Sequence, residues 1–75
     1  MAAGATNNLR NVLATNMRHR RTELGLSQEV LGDEAGLHRT FIGAVERSET
    51  NISLDNLERL AVALKIDGWQ LLKPR

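Results

Sequence analysis

Gly36 is the residue that most narrows what this chain can fold into. It stands between two apolar-periodic segments, each about two turns long, in the stretch Gln28 to Glu46, QEVLGDEAGLHRTFIGAVE. Before it, Val30, Leu31 and Ala35 recur at helical spacing; after it, Phe41, Ile42 and Val45 do the same. Most residues resist the positive φ that stops one helix and lets another start a few residues later, whereas glycine does not. A tight turn at Gly36 packs the two helices at a steep angle. Leu37 then plugs the corner, and Ile42 and Val45 rest on Leu31 and Ala35.

The flanks read as further helices. Leu9, Val12, Leu13 and Met17 step by three, one and four, Arg20 and Arg21 fill the gap before Leu24, and Gly25 suits a helix end. Ser27 is placed to cap the second helix, with Gln28 and Glu29 in its first turn, where Glu29 also suits the dipole. Leu37 or His38 opens the third helix, which closes near Glu46 or Arg47. Ser48 to Ile52 is polar and turn-like. Ser53 caps a fourth helix carrying Leu54, Leu57, Leu60, Ala61 and Leu64. Asp67 caps a brief fifth with Trp69, Leu71 and Leu72, and Pro74 discourages continuation. Trp69 and its neighbours are expected to close the core while leaving some apolar surface for a partner. Nothing alternates with a period of two. The expected fold is all-α: five helices in a single domain over residues 7–75, after a flexible arm at residues 1–6.

Composition removes several function classes. Cysteine is absent, which excludes disulfides and thiolate metal sites and fits a reducing compartment. His19 and His38 lack helical metal-ligand spacing, so no metal is expected. No apolar run approaches a membrane span, and the first residues lack a signal-peptide core, so a cytoplasmic protein without a membrane partner is expected. At 75 residues the chain buries only roughly 60–65% of its unfolded surface, leaving little room for an enclosed active site. No paired carboxylates, Ser/His/Asp set or phosphate-cradling glycine loop emerges. The chain therefore reads as a non-enzyme with no cofactor and no small-molecule ligand. Its net charge of +1 says less than the distribution. Up to Arg21 there are four arginines (Arg10, Arg18, Arg20, Arg21) and no acids, whereas the remainder has six basic and nine acidic residues. Such a basic stretch fits phosphate contact, and equally a solvated helix face.

The order Ser27-Gln28-Glu29, Leu31, Ala35-Gly36-Leu37, Ile42 and Val45-Glu46 carries a family resemblance. The chain resembles the Cro/CI-type (XRE) helix-turn-helix domain of phage repressors and small bacterial regulators, a compact lambda-repressor-like fold. Arg21 to Leu26 before the motif and Ser53 to Leu57 after it match as well, so the resemblance runs from about Leu9 to Leu72. Within that family, Gly36 to Ile42 followed by Glu46-Arg47 is most similar to the controller proteins of restriction-modification systems. One position departs: the family usually has alanine where this chain has Gly32. Glycine inside a helix costs roughly 1 kcal/mol against alanine, which implies a looser second helix.

The resemblance implies binding to double-stranded DNA, with the third helix in the major groove. Gln28 corresponds to a phosphate-contacting position at a helix N-terminus. His38, Arg39, Thr40, Gly43 and Ala44 would face outward from the reading helix, with Arg39 gripping guanine O6 and N7. Arg47, Ser48, Thr50 and Asn51 would meet the sugar-phosphate backbone. Arg21 and Glu46 correspond to a partly buried ion pair joining the first and third helices. One short reading helix touches few base pairs, so a homodimer on a two-fold operator is implied, with Ile66, Trp69 and Leu72 as the seam. Over a promoter such a dimer would block RNA polymerase; just upstream it would recruit it. An antitoxin or a phage-type repressor would use the same domain, and a helical protein-interaction module remains the reading outside DNA binding.

Overall fold

The computed structural model describes residues 8–75, and the expected arm at residues 1–6 lies outside them. Among the described residues the elements are α1 (Leu9–Glu23), α2 (Gln28–Ala35), α3 (Arg39–Glu46), α4 (Leu54–Leu64) and α5 (Gly68–Leu71), with no strand. This is the all-α, five-helix architecture expected from the apolar periodicity.

The boundaries follow from local chemistry. Asn8 caps α1, its Oδ1 accepting from the Arg10 amide at 2.8 Å. Ser27 Oγ accepts from the Val30 amide at 3.0 Å and starts α2. Gly36 ends α2 in the left-handed region at φ 72°, the conformation the corner requires. His38, not Leu37, opens α3: its ring Nδ1 accepts from the Thr40 amide at 3.1 Å. Ser53 Oγ accepts from the Asn56 amide at 3.1 Å and starts α4. Before α5 the Asp67 amide donates to Gln70 Oε1 at 2.8 Å, one half of a capping box. The end of α4 was not legible in the sequence. Lys65 takes the left-handed conformation there, a position usually left to glycine or asparagine.

The core is the set of faces those periodicities define. Met17, Leu31, Ile42, Leu60, Leu64 and Leu71 are fully buried, and Leu13, Ala35, Val45, Leu57 and Ala61 pack around them. Each fully buried leucine-sized side chain contributes about 1.5–3 kcal/mol. The α2–α3 corner is wedged between α1, which packs on α3, and α4, which packs on α2; α5 closes the end against α1 and α4. Polar groups tie the outer helices to one another around this wedge. Buried Asn16 on α1 donates to the carbonyls of Leu71 and Lys73, both at 2.9 Å. Arg20 Nε donates to the Leu64 carbonyl at 2.9 Å, satisfying an orphan acceptor at the end of α4.

Three readings change. Gly32 does not mark a loose helix: α2 runs unbroken through it, and a Cβ there would lie 2.5 Å from the Leu37 carbonyl oxygen. The glycine lets the turn fold back tightly, with the Leu37 amide donating to the Gly32 carbonyl at 2.8 Å. Trp69 does not close the core, since it is 62% exposed while Leu71 fills the space below. Leu54, grouped with the apolar stripe of α4, is 75% exposed and lies at the rim of a groove shared with Leu9 and Leu57.

Candidate nucleic-acid interface

The outward side of the corner is built from the two ends of α2 and α3. His38, Arg39 and Thr40 form the first turn of α3, and all are exposed. The His38 ring nitrogen that accepts from the Thr40 amide also lies 2.8 Å from the Thr40 hydroxyl, so cap and side chain brace each other. Arg39 reaches Glu29 on α2 at 3.5 Å, with both side chains more than 60% exposed. A pair that open contributes about 0–1 kcal/mol, so a stronger acceptor can take the guanidinium away from Glu29.

Behind this face lies a buried polar anchor. Arg21 Nε and Nη2 donate to the two Glu46 carboxylate oxygens at 2.6 and 3.0 Å, and Nη1 donates to the Leu26 carbonyl at 2.9 Å. The side chains are 14% and 3% exposed. Hydrogen bonding to Glu46 raises the Arg21 pKa above the ordinary arginine value, and this outweighs the lowering by burial. The fork ties α1 to the last residue of α3. Glu46 Oε1 also accepts from Gln28 Nε2 at 3.1 Å. Because a carboxylate only accepts, this bond sets the Gln28 amide with its nitrogen towards Glu46.

Gln28, Gly43, Glu46, Arg47 and Arg21 are thus brought together. Gly43 differs from its expected place: it is buried instead of facing outward, because Arg47 Nη1 and Gln28 Oε1 lie 3.0 and 3.4 Å from where its Cβ would be. Ala44 is half-buried. Arg47 Nε donates to Glu49 at 2.9 Å with both side chains more than half exposed. Ser48 and Thr50 are half-buried and Asn51 is exposed in the following loop. Phe41 is half-buried and packs against the core.

The expected seam residues do not share one patch. Ile66 and Trp69 line a cleft with Asn16 and Arg20 of α1, whereas Leu72 lines a separate groove with Leu9, Leu54 and Leu57. Ile66 and Leu72 are half-buried.

Two participants escaped the sequence reading of the site. Arg10 donates to Asn51 Oδ1, and its carbonyl accepts from the Ser48 hydroxyl at 3.4 Å, stitching the start of α1 to the loop after α3. Its only signal was membership of the basic stretch. That stretch is not one surface: Arg20 and Arg21 turn inward to Leu64 and Glu46, while Arg18 is exposed. Glu29, read only as a dipole partner, holds Arg39.

Known proteins share the sequence and the fold. A helix-turn-helix family (HTH_3) matches residues 17–68, and the chain belongs to that family. It is 52% identical over 66 residues to a hypothetical transcription factor of Neisseria meningitidis, an alignment covering 88% of this chain and 62% of that protein. The control protein C.SmaI of Serratia marcescens is 47% identical over 64 residues, covering 85% of this chain and 76% of its own. Among solved structures, the restriction-modification controller protein C.AhdI of Aeromonas hydrophila superposes with a TM-score of 0.80 at 42% identity, covering 83% of this chain and 94% of its own.

Proposed function

We propose that this chain is a sequence-specific double-stranded-DNA-binding transcriptional regulator, a homodimer of the controller kind found beside restriction-modification genes. The observation that carries the reading is the corner itself: a rigidly anchored α3 whose first turn offers Arg39 and Thr40 to solvent, held by contacts weak enough to exchange for DNA. The controller names of the relatives at 47% and 42% identity supply the restriction-modification context. Arg39 reads a guanine edge in the major groove. Gln28, Arg47, Ser48, Thr50 and Asn51 hold the phosphates, and His38 and Thr40 shape the first turn of the reading helix.

A second copy reads the other half-site, about 34 Å away. The exposed Trp69, beside Ile66, is the surface through which the copies associate. The protein works in the cytoplasm as a binding protein, and control follows its own concentration through dimerisation and operator occupancy. Over a promoter it excludes RNA polymerase; placed upstream it contacts it. Among the described residues no helix is long and apolar enough to cross a membrane.

Selection of bound sites from a random duplex pool tests this. The expected product is a two-fold-related pair of half-sites about one helical turn apart, bound with an affinity that falls steeply as salt rises. No enrichment, with binding absent even at low salt, overturns the reading in favour of a protein-interaction module.

A further inference from the structure

Gly43 sits in the middle of α3, and nothing about its backbone needs a glycine: it lies within the regular helix, and its φ is not among the positive values. Glycine inside a helix is destabilising relative to alanine, so the reading helix bears a cost at this position. What the missing side chain leaves is room. Gln28 from the start of α2 and Arg47 from the end of α3 fold over the bare Cα from two directions. Their Oε1 and Nη1 atoms lie 3.4 and 3.0 Å from the site of a Cβ, and the Arg47 Cζ lies at 3.8 Å. Both side chains are also held from their far sides, Gln28 by Glu46 at 3.1 Å and Arg47 by Glu49 at 2.9 Å.

We propose that Gly43 is a positioning residue: its bare Cα is the seat on which Gln28 Oε1 and Arg47 Nη1 converge, so that the Arg47 guanidinium and the second Gln28 Nε2–H, from different helices, present one phosphate clamp. This rests on the DNA-binding reading above. The clamp spans the α2–α3 corner, so it senses the register of the two helices as well as the phosphate. A methyl group at position 43 would touch the far end of the flexible Arg47, which moves aside without disturbing backbone. Fold and clamp therefore respond to the same substitution in different directions.

The test is Gly43→Ala in the full chain, measured on a labelled duplex of about 30 base pairs carrying the selected site and on a scrambled duplex of equal length. The variant should melt no lower than the parent protein. It should bind both duplexes about tenfold more weakly, as expected when charge-assisted contacts are lost. The slope of log affinity against log salt should become shallower by about 1 to 2 per dimer, as one phosphate contact per subunit disappears. In an Arg47→Ala background the same change should cost less than half as much, because the partner it displaces is already gone. The Gln28 side-chain amide resonances should shift in the free protein.

Unchanged affinity and slope overturn the proposal, as does a loss confined to the selected duplex, which would make position 43 a base contact. A lowered melting temperature with parent-like affinity would make it merely structural. If the parent protein shows no salt-dependent binding, the DNA reading falls and the clamp with it. Unshifted Gln28 resonances would separately remove the seat whatever the DNA result.

Discussion

On the proposed reading Arg39 and Gln28 carry different kinds of information, and their surroundings differ accordingly. Arg39 is exposed and, among the described residues, tethered to an equally exposed carboxylate, which on that reading leaves its guanidinium free to exchange to a base edge. Gln28 is half-buried and oriented by Glu46, so it can mark a position but reads little. Replacing Arg39 by alanine should abolish preference at one guanine-containing position, a loss of about 1–3 kcal/mol of discrimination, while leaving the melting temperature nearly unchanged. Gln28→Ala should weaken all sequences alike. Competition binding against singly substituted operators separates the two patterns. Arg21→Ala should instead act on stability, because it strands the Glu46 carboxylate in a site where its side chain is 3% exposed. A loss of about 3–5 kcal/mol in urea unfolding is expected. The sign of the Arg21 pKa shift matters here: its folded value is raised, so the stability contributed by the guanidinium's charge is fully present below the ordinary arginine value and lost only as pH rises through the raised one. The effect of Arg21→Ala should therefore be flat across neutral and moderately alkaline pH. The family resemblance, carried over position by position, pointed to Arg39, Gln28 and the Arg21–Glu46 pair, and of these the pair is present as a two-bond fork. It was not enough to show that Gly43 lies beneath two side chains, because that depends on the rotamers of residues from different helices.

The helices themselves were the most legible part, because each boundary is a local interaction. Ser27, Ser53 and Gly36 act within three residues of their own positions, and short-range chemistry survives without knowledge of the fold. Gly32 shows where that logic stops. Intrinsic propensity predicts that alanine would stabilise α2 by roughly 1 kcal/mol. The turn that follows brings the Leu37 carbonyl to 2.5 Å from the would-be Cβ, which is backbone and cannot swing away. Gly32→Ala should therefore destabilise the protein by about 1–3 kcal/mol, the range typical of overpacking. Thermal melts of the variant and the parent decide the sign; a raised melting temperature would show that the corner relaxes freely. Lys65 was hidden because no glycine announces its left-handed backbone.

At the scale of the molecule, the core was legible in the apolar periodicity and the surface only in part. Trp69 reads as core by its size and hydrophobicity, yet the small interior is already filled by Leu60, Leu64 and Leu71, and the indole stays outside. A second exposed apolar region surrounds Leu9 and Leu54, with Leu72 in its groove. The two regions make the dimer testable: sedimentation should show Trp69→Ala as a monomer at concentrations where Leu54→Ala and the parent protein still associate. The reverse pattern would move the seam to the Leu9–Leu54 groove without altering the reading helix. The claim on which everything else depends is that α3 enters a major groove in each half-site. Methylation protection of guanine N7 reports on that groove directly. The expected result is two protected clusters about 10 base pairs apart, each losing protection at one guanine in Arg39→Ala. Strong binding with every guanine N7 still reactive would contradict the account.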